Sequence, residues 1–195
     1  MNIVTSLKTS PESLTMTAPK IAFICGSLRT GSINQKLQAA MIKRFKAAGF
    51  SCSRVDLGKY DLPLYHGDLD TPANAKKLID RIKKFDGVVV VTPEYNGSLP
   101  PLLKNAIDWT STIGTDHFKQ PYYGIAACTP GPMSGIMCMR QLNYILMRVG
   151  AHVSPIQVGT GNASKAFDAK GNLTSEPATS LLDKLIVDMQ AQISK

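Results

Sequence analysis

Gly87-Val88-Val89-Val90-Val91-Thr92 runs straight into Pro93-Glu94-Tyr95-Asn96-Gly97-Ser98. The first six residues form a continuous β-branched run bounded by glycine and proline, the pattern of a strand buried on both faces. Parallel sheets covered by helices contain such strands, and they bind ligands beyond the carboxyl ends of those strands. The polar hexapeptide therefore falls where a ligand is expected. A second junction of the same form lies upstream, where Ile21-Ala22-Phe23-Ile24-Cys25 leads into Gly26-Ser27-Leu28-Arg29-Thr30-Gly31-Ser32-Ile33-Asn34. Two polar loops capping two apolar strands suit a ligand with a charged tail and a flat ring.

Outward from these junctions, strand and helix patterns alternate. Residues 32–48 place Ile33, Leu37, Ala40, Met41, Ala47 and Ala48 at helical spacing before Gly49,. Residues 51–57 read as a strand and 58–70 as a loop punctuated by proline and glycine. Thr71-Pro72 opens a helix to Lys84, with threonine as cap and proline in the first turn. Ser98-Leu99-Pro100 opens another to Ser111. Residues 122–128 and 152–158 are further strands, 134–149 and 175–193 further helices, and 159–174 a loop. Five strands separated by helices predict an α/β fold, a parallel sheet with helices on both faces. Periodicity does not give the strand order.

The 195 residues suffice for one core, and residues 20–195 read as a single domain,. Residues 1–19 are rich in Ser and Thr and read as a disordered tail. They show no apolar block of a signal peptide and no arginine of a transit peptide. With 44% hydrophobic and 18% charged residues, and no apolar stretch approaching ~20 residues, no membrane association is expected,. Cys25, Cys52, Cys128 and Cys138 form no CxxC pair, and His66, His117 and His152 are dispersed, so a reduced cytoplasmic setting without a metal site is expected,. His117 reads as an exposed loop histidine rather than a proton donor. The net charge of +8 gathers on two helices, at Lys36, Lys43, Arg44 and Lys46 and at Lys76, Lys77, Arg81, Lys83 and Lys84. That distribution reads as solvated helix faces and not as a nucleic-acid surface.

Gly26 and Gly31 have the spacing of a nucleotide phosphate loop, but Ser32 and Ile33 stand where its lysine and hydroxyl residue should be,. No aspartate ends the third strand to hold a metal. Leu28 likewise breaks the GxGxxG pattern of dinucleotide binders. What the loop offers is Ser27, Arg29, Thr30, Ser32 and Asn34 at a helix start, a set suited to one compact phosphate dianion. A serine-capped helix after a glycine turn, with no ligand, fits this loop equally well. In the second loop Pro93 ends the strand ladder, Gly97 permits a positive φ, and Ser98 reads as the N-cap of the next helix. Tyr95 is placed to cover a planar ring. The alternative is a connector whose polar residues only cap the helix.

Together, GSLRTGSINQKL (residues 26–37) and TPEYNGSLPPLLKNAIDW (residues 92–109) closely resemble the NADPH-dependent FMN reductase family, the flavodoxin-like group of quinone, azo-dye and chromate reductases. The resemblance covers residues 20–158. It implies a five-stranded sheet of order 2-1-3-4-5, with FMN at the switch point between the first and third strands. Ser27, Arg29, Ser32 and Asn34 match phosphate-binding positions, with Ile33 contributing backbone. Pro93, Glu94, Tyr95 and Asn96 match the stretch against the isoalloxazine ring, and Gly97 and Ser98 complete the turn. The family's third flavin loop corresponds to residues 129–135, where Thr129 replaces the usual serine and prolines stiffen the glycine-rich part; Thr129 and Gly131 are its expected contacts.

The chemistry implied is transfer of electrons from NADPH or NADH through flavin N5 to a small acceptor: flavin, quinone, azo compound or chromate. No protein acid or base is needed. Backbone donors at residues 96–98 and the helix terminus after them are expected to stabilise reduced flavin. Relatives form homodimers or homotetramers with two subunits around each flavin, so a homo-oligomer is expected. The rival readings are an electron carrier, which in flavodoxins is typically acidic where this chain is basic, and a flavin-binding sensor without turnover.

Overall fold

A computed structural model describes residues 17–193. The expectation of a disordered tail therefore lies, for residues 1–16, outside the described residues. Lys20–Cys25 (β1) pairs in parallel with Ser51–Val55 (β2) on one side and with Gly87–Thr92 (β3) on the other. Tyr122–Cys128 (β4) and His152–Thr160 (β5) extend the sheet, which has the order β2-β1-β3-β4-β5. The chain leaves β1 toward one edge and returns as β3 on the other side. That reversal opens a crevice at the carboxyl ends of β1 and β3.

Among the described residues six helices cover the sheet: Ile33–Ala47 (α1), Ala73–Ile82 (α2), Pro101–Ser111 (α3), Asp116–Lys119 (α4), Ile136–Arg148 (α5) and Glu176–Ile193 (α6). Strand alternation sorts the core into two layers. Ile21, Phe23, Val89 and Val91 point toward α1 and α6, while Ala22, Ile24, Val88 and Val90 point toward α2, α3 and α5. All six residues of β3 are buried, as its uninterrupted apolar run requires,. Phe23 meets Phe45 edge to face at 5.2 Å, locking α1 onto the sheet,. Among the described residues no helix is long and apolar enough to cross a membrane.

Several local expectations are corrected. Strand β2 ends at Val55, because the Asp56 carboxylate accepts from Gly58 N at 3.0 Å and turns the chain into a 3₁₀ segment, Leu57–Tyr60. Thr71 caps nothing; Pro72 holds the N-cap position of α2 without a side-chain bond. Ser98 is not the cap of α3, which begins at Pro101 after an extended Pro100. Edge strand β5 runs on to Thr160, and its Pro155 falls within a register shift where no ladder bond is demanded,.

His117 is the largest correction. It is buried on α4, which precedes β4 and so lies at the amino end of the sheet, opposite the crevice. Its Nε2 has no hydrogen-bond partner. Burial, assisted by Lys83 and opposed by Asp116, lowers its pKa from 6.5 to about 4. An unfolded chain thus takes a proton between those values that the folded chain refuses, so stability is full above pH 6.5 and falls as the pH drops through that window. Urea unfolding at pH 7 and pH 5 should show a loss of about 2 kcal/mol from this residue, and His117→Leu should remove that component,.

Candidate functional site

Three loops meet at the carboxyl edge of the sheet: residues 26–32 after β1, 93–98 after β3, and 129–135 after β4. In the first, Gly26 N continues the ladder to Val91 O at 2.9 Å. A Cβ on Gly26 would lie 2.6 Å from Leu103 Cδ1 and 2.9 Å from Pro100 Cγ, so glycine lets α3 press against the strand end. Ser27 is buried, its hydroxyl accepting from Arg29 N. Ser32 caps α1, its Oγ accepting from Asn34 N and Gln35 N, and the first helical turn holds no acidic residue. Arg29, Thr30 and Gly31 are exposed around that helix start. One guanidinium, several hydroxyls and a positive helix end, without a carboxylate, form a donor set for an anion.

Asn34 ties the first loop to the end of β4. It is buried, its Oδ1 accepting from Cys128 N at 2.8 Å and its Nδ2 donating to Cys128 O at 2.9 Å. The side chain thus pairs with the end of β4 as another strand would. Ile33, the first residue of α1, brings its backbone to the open helix end.

The second loop closes on itself. Tyr95 and Ser98 exchange backbone hydrogen bonds at 3.0 Å each, around Asn96 at φ 52° and Gly97 at φ 75°. Two central residues with positive φ define a type I′ turn, the conformation that Asn-Gly favours. The amides of Asn96 and Gly97 remain at the exposed tip, whereas that of Ser98 is engaged within the turn. The start of α3 adds little: Pro100 and Pro101 lack an N–H, and Leu99 N donates to Gln141 Oε1 at 2.9 Å,. The expected donor set at residues 96–98 and the helix terminus thus narrows to Asn96 and Gly97. Pro93 is buried, Glu94 half-buried, and Tyr95 46% exposed, with its ring free to cover a ligand.

The third loop is tied to β5. Thr129 N donates to Thr160 O, Asn162 N to Gly131 O and Ala163 N to Thr129 O. The Thr129 hydroxyl donates to Gly131 O at 3.0 Å, so toward a ligand it can only accept. Gly131 itself is exposed. Two residues that motif reading passes over hold the segment of residues 62–65 against α3. Asn105 donates to Leu62 O and Pro63 O and accepts from Tyr65 N, while Trp109 Nε1 donates to Pro63 O at 2.6 Å. Both belong to the second motif, residues 92–109, where an asparagine and a tryptophan one helical turn apart are the signal.

The thiols near the site are held protonated. Burial pushes Cys128 up to about 12, and burial with the adjacent Glu94 carboxylate does the same to Cys138. No group of three or more His, Cys, Asp or Glu side chains able to hold a metal occurs among the described residues. The site thus offers a donor set suited to an anion at one end and two free amides at the other.

Comparison with known proteins gives this arrangement its context. The model of the NADPH-dependent FMN reductase family matches residues 19–165. An NAD(P)H-dependent FMN reductase of Pseudomonas aeruginosa is 32% identical over 185 residues, covering 90% of this chain and 96% of that protein. A quinone reductase of Escherichia coli K12 is 34% identical over 138 residues, 69% of this chain and 72% of its own. The solved structure of FerB, a flavoenzyme NAD(P)H:(acceptor) oxidoreductase from Paracoccus denitrificans, superposes with a TM-score of 0.77 at 30% identity, over 91% of this chain and 98% of that one.

Proposed function

Because this chain belongs to the NADPH-dependent FMN reductase family, we propose that its three loops hold FMN for electron transfer from NADPH or NADH to a small acceptor. Held in the crevice, FMN would supply the hydride-accepting and electron-donating chemistry between nicotinamide and acceptor. The residues fit it: Arg29, the hydroxyls of Ser27, Thr30 and Ser32 and the backbone at Ile33 would hold the phosphate. Asn34 positions that loop by anchoring it to β4. Asn96 and Gly97 would donate to the polar edge of the ring, Tyr95 would cover it, and Pro93, Glu94 and Ser98 would fix the turn. Thr129 and Gly131 would flank the ring from the third loop.

The observation carrying this reading is the type I′ turn with its two free amides, set across the switch point from a loop built for an anion. Quinones and flavins are the acceptors favoured here, in line with the names of the relatives; azo compounds and chromate share the same open access. Mixing FMN-loaded protein with NADPH or NADH under air should lower the absorbance at 340 nm in a catalytic manner, faster when a quinone is added. Bound FMN with no nicotinamide oxidation would favour the electron-carrier or sensor reading instead.

We also propose that the enzyme is a cytoplasmic homo-oligomer. Met137, Tyr144 and Met147 are 53%, 70% and 61% exposed on one stripe of α5. Such a stripe suits a second copy more than water. Light scattering should report a dimer or tetramer; a monomer at micromolar concentration would overturn this. The basic residues are partly engaged within the chain: Lys43 donates to Lys170 O, Arg44 pairs with Asp183, and Arg81 lies over the Phe85 ring. This supports helix faces rather than a nucleic-acid surface.

A further inference from the structure

Helix α5 has no cap of its own, since Gly135 at its N-cap position offers no side chain. The cap comes from another part of the chain. Glu94 Oε2 accepts from both Met137 N and Cys138 N at 3.1 Å, satisfying two amides of the first turn and placing a carboxylate at the positive helix end,. About one turn further along α5, Gln141 Oε1 accepts from Ser98 Oγ at 2.7 Å and from Leu99 N at 2.9 Å. Glu94 precedes the Asn96-Gly97 turn, and Ser98 and Leu99 follow it. The turn is thus pinned to α5 at both ends.

We infer that Glu94 and Gln141 are positioning residues that aim the Asn96 and Gly97 amides at the ring of the bound flavin, making α5 the rigid backing of the redox site. The inference rests on the site assignment under Proposed function. Neither residue needs to touch the reacting atoms. Glu94 acts through the turn, and by accepting from the first turn of α5 it ties the second loop to the helix that follows the third. A preorganised donor pair favours the electron-rich reduced ring over the oxidised one. Loosening either tether therefore weakens cofactor binding and selectively weakens the reduced form.

The test compares Glu94→Ala, Glu94→Gln and Gln141→Ala with wild type in three measurements: FMN affinity by fluorescence titration, midpoint potential of the bound flavin, and melting of the FMN-free protein. Glu94→Ala should bind FMN about tenfold more weakly and shift the potential about 30 mV more negative, the two-electron equivalent of a further tenfold loss for the reduced form. Glu94→Gln retains an oxygen that can accept both amides and should return to within about threefold of wild type. Gln141→Ala changes an exposed side chain and should move potential and affinity in the same direction by a smaller amount; it carries the test alone if Glu94→Ala does not fold. Wild-type affinity and potential in Glu94→Ala, with only a lowered melting point, would reduce Glu94 to a helix cap and overturn the inference. Failure of the wild type to take up FMN would overturn the site assignment along with it.

Discussion

Gly97→Val should lower FMN affinity on the order of 50-fold. Gly97 lies at φ 75° in the exposed turn, and no heavy atom comes within 4 Å of where a Cβ would lie, so the substitution meets no clash. The penalty comes from the backbone alone. A β-branched residue in the left-handed region costs about 1–2 kcal/mol or more, and the turn relieves that cost by abandoning its type I′ geometry. Doing so redirects both tip amides. A loss of about 2 kcal/mol corresponds to some 30-fold in affinity, and the misplaced ring contacts add to it. Gly97→Asn is the control, because asparagine tolerates positive φ and should bind close to wild type. Equal affinity of all three proteins in fluorescence titration would remove Asn96 and Gly97 from the cofactor site.

Asn34→Leu should destabilise the FMN-free protein by about 3 kcal/mol in urea unfolding. The side chain satisfies both the N–H and the C=O of Cys128 within the core. Leucine leaves that donor and that acceptor without partners, at about 1–3 kcal/mol each, and its bulk at a site with 2% exposure adds strain,. The resemblance implies a phosphate contact for Asn34, and the geometry shows it as a strut to β4. The two roles separate cleanly, because a ligand residue weakens FMN binding without lowering the stability of the empty protein. A variant as stable as wild type without FMN, yet poor at binding it, would restore the ligand role.

How much of this can be read from residues alone depends on the distance over which each feature is decided. The all-apolar β3 and the two polar loops that follow β1 and β3 are local patterns, and the sequence shows them directly. The Asn96-Gly97 turn is equally open to reading, since that dipeptide is the strongest short-range signal for a type I′ geometry; attention to Gly97 alone hides the second positive φ. Caps mislead where prolines intervene, because Pro100 and Pro101 move the start of α3 beyond Ser98. His117 escapes because nothing in its neighbours Asp116 and Phe118 announces burial. The packing of Phe118 into the core and the approach of Lys83 decide it. The tasks of Glu94, Gln141 and Asn34 rest on partners 42 to 94 positions away, which no spacing rule reaches.

The Asn34–Cys128 pairing and the bonds from Thr129 to Thr160 and Ala163 have a consequence for biosynthesis. A nascent polypeptide leaving the ribosome exposes its first two polar loops well before β5 exists. Until residue 128 arrives, the buried amide of Asn34 has no strand to join, and until residues 160–163 the third loop lacks its partners. Contacts of such long range form late, after the loop-closure entropy has been overcome. The crevice at the carboxyl edge of the sheet is therefore complete only after most of the chain has been made.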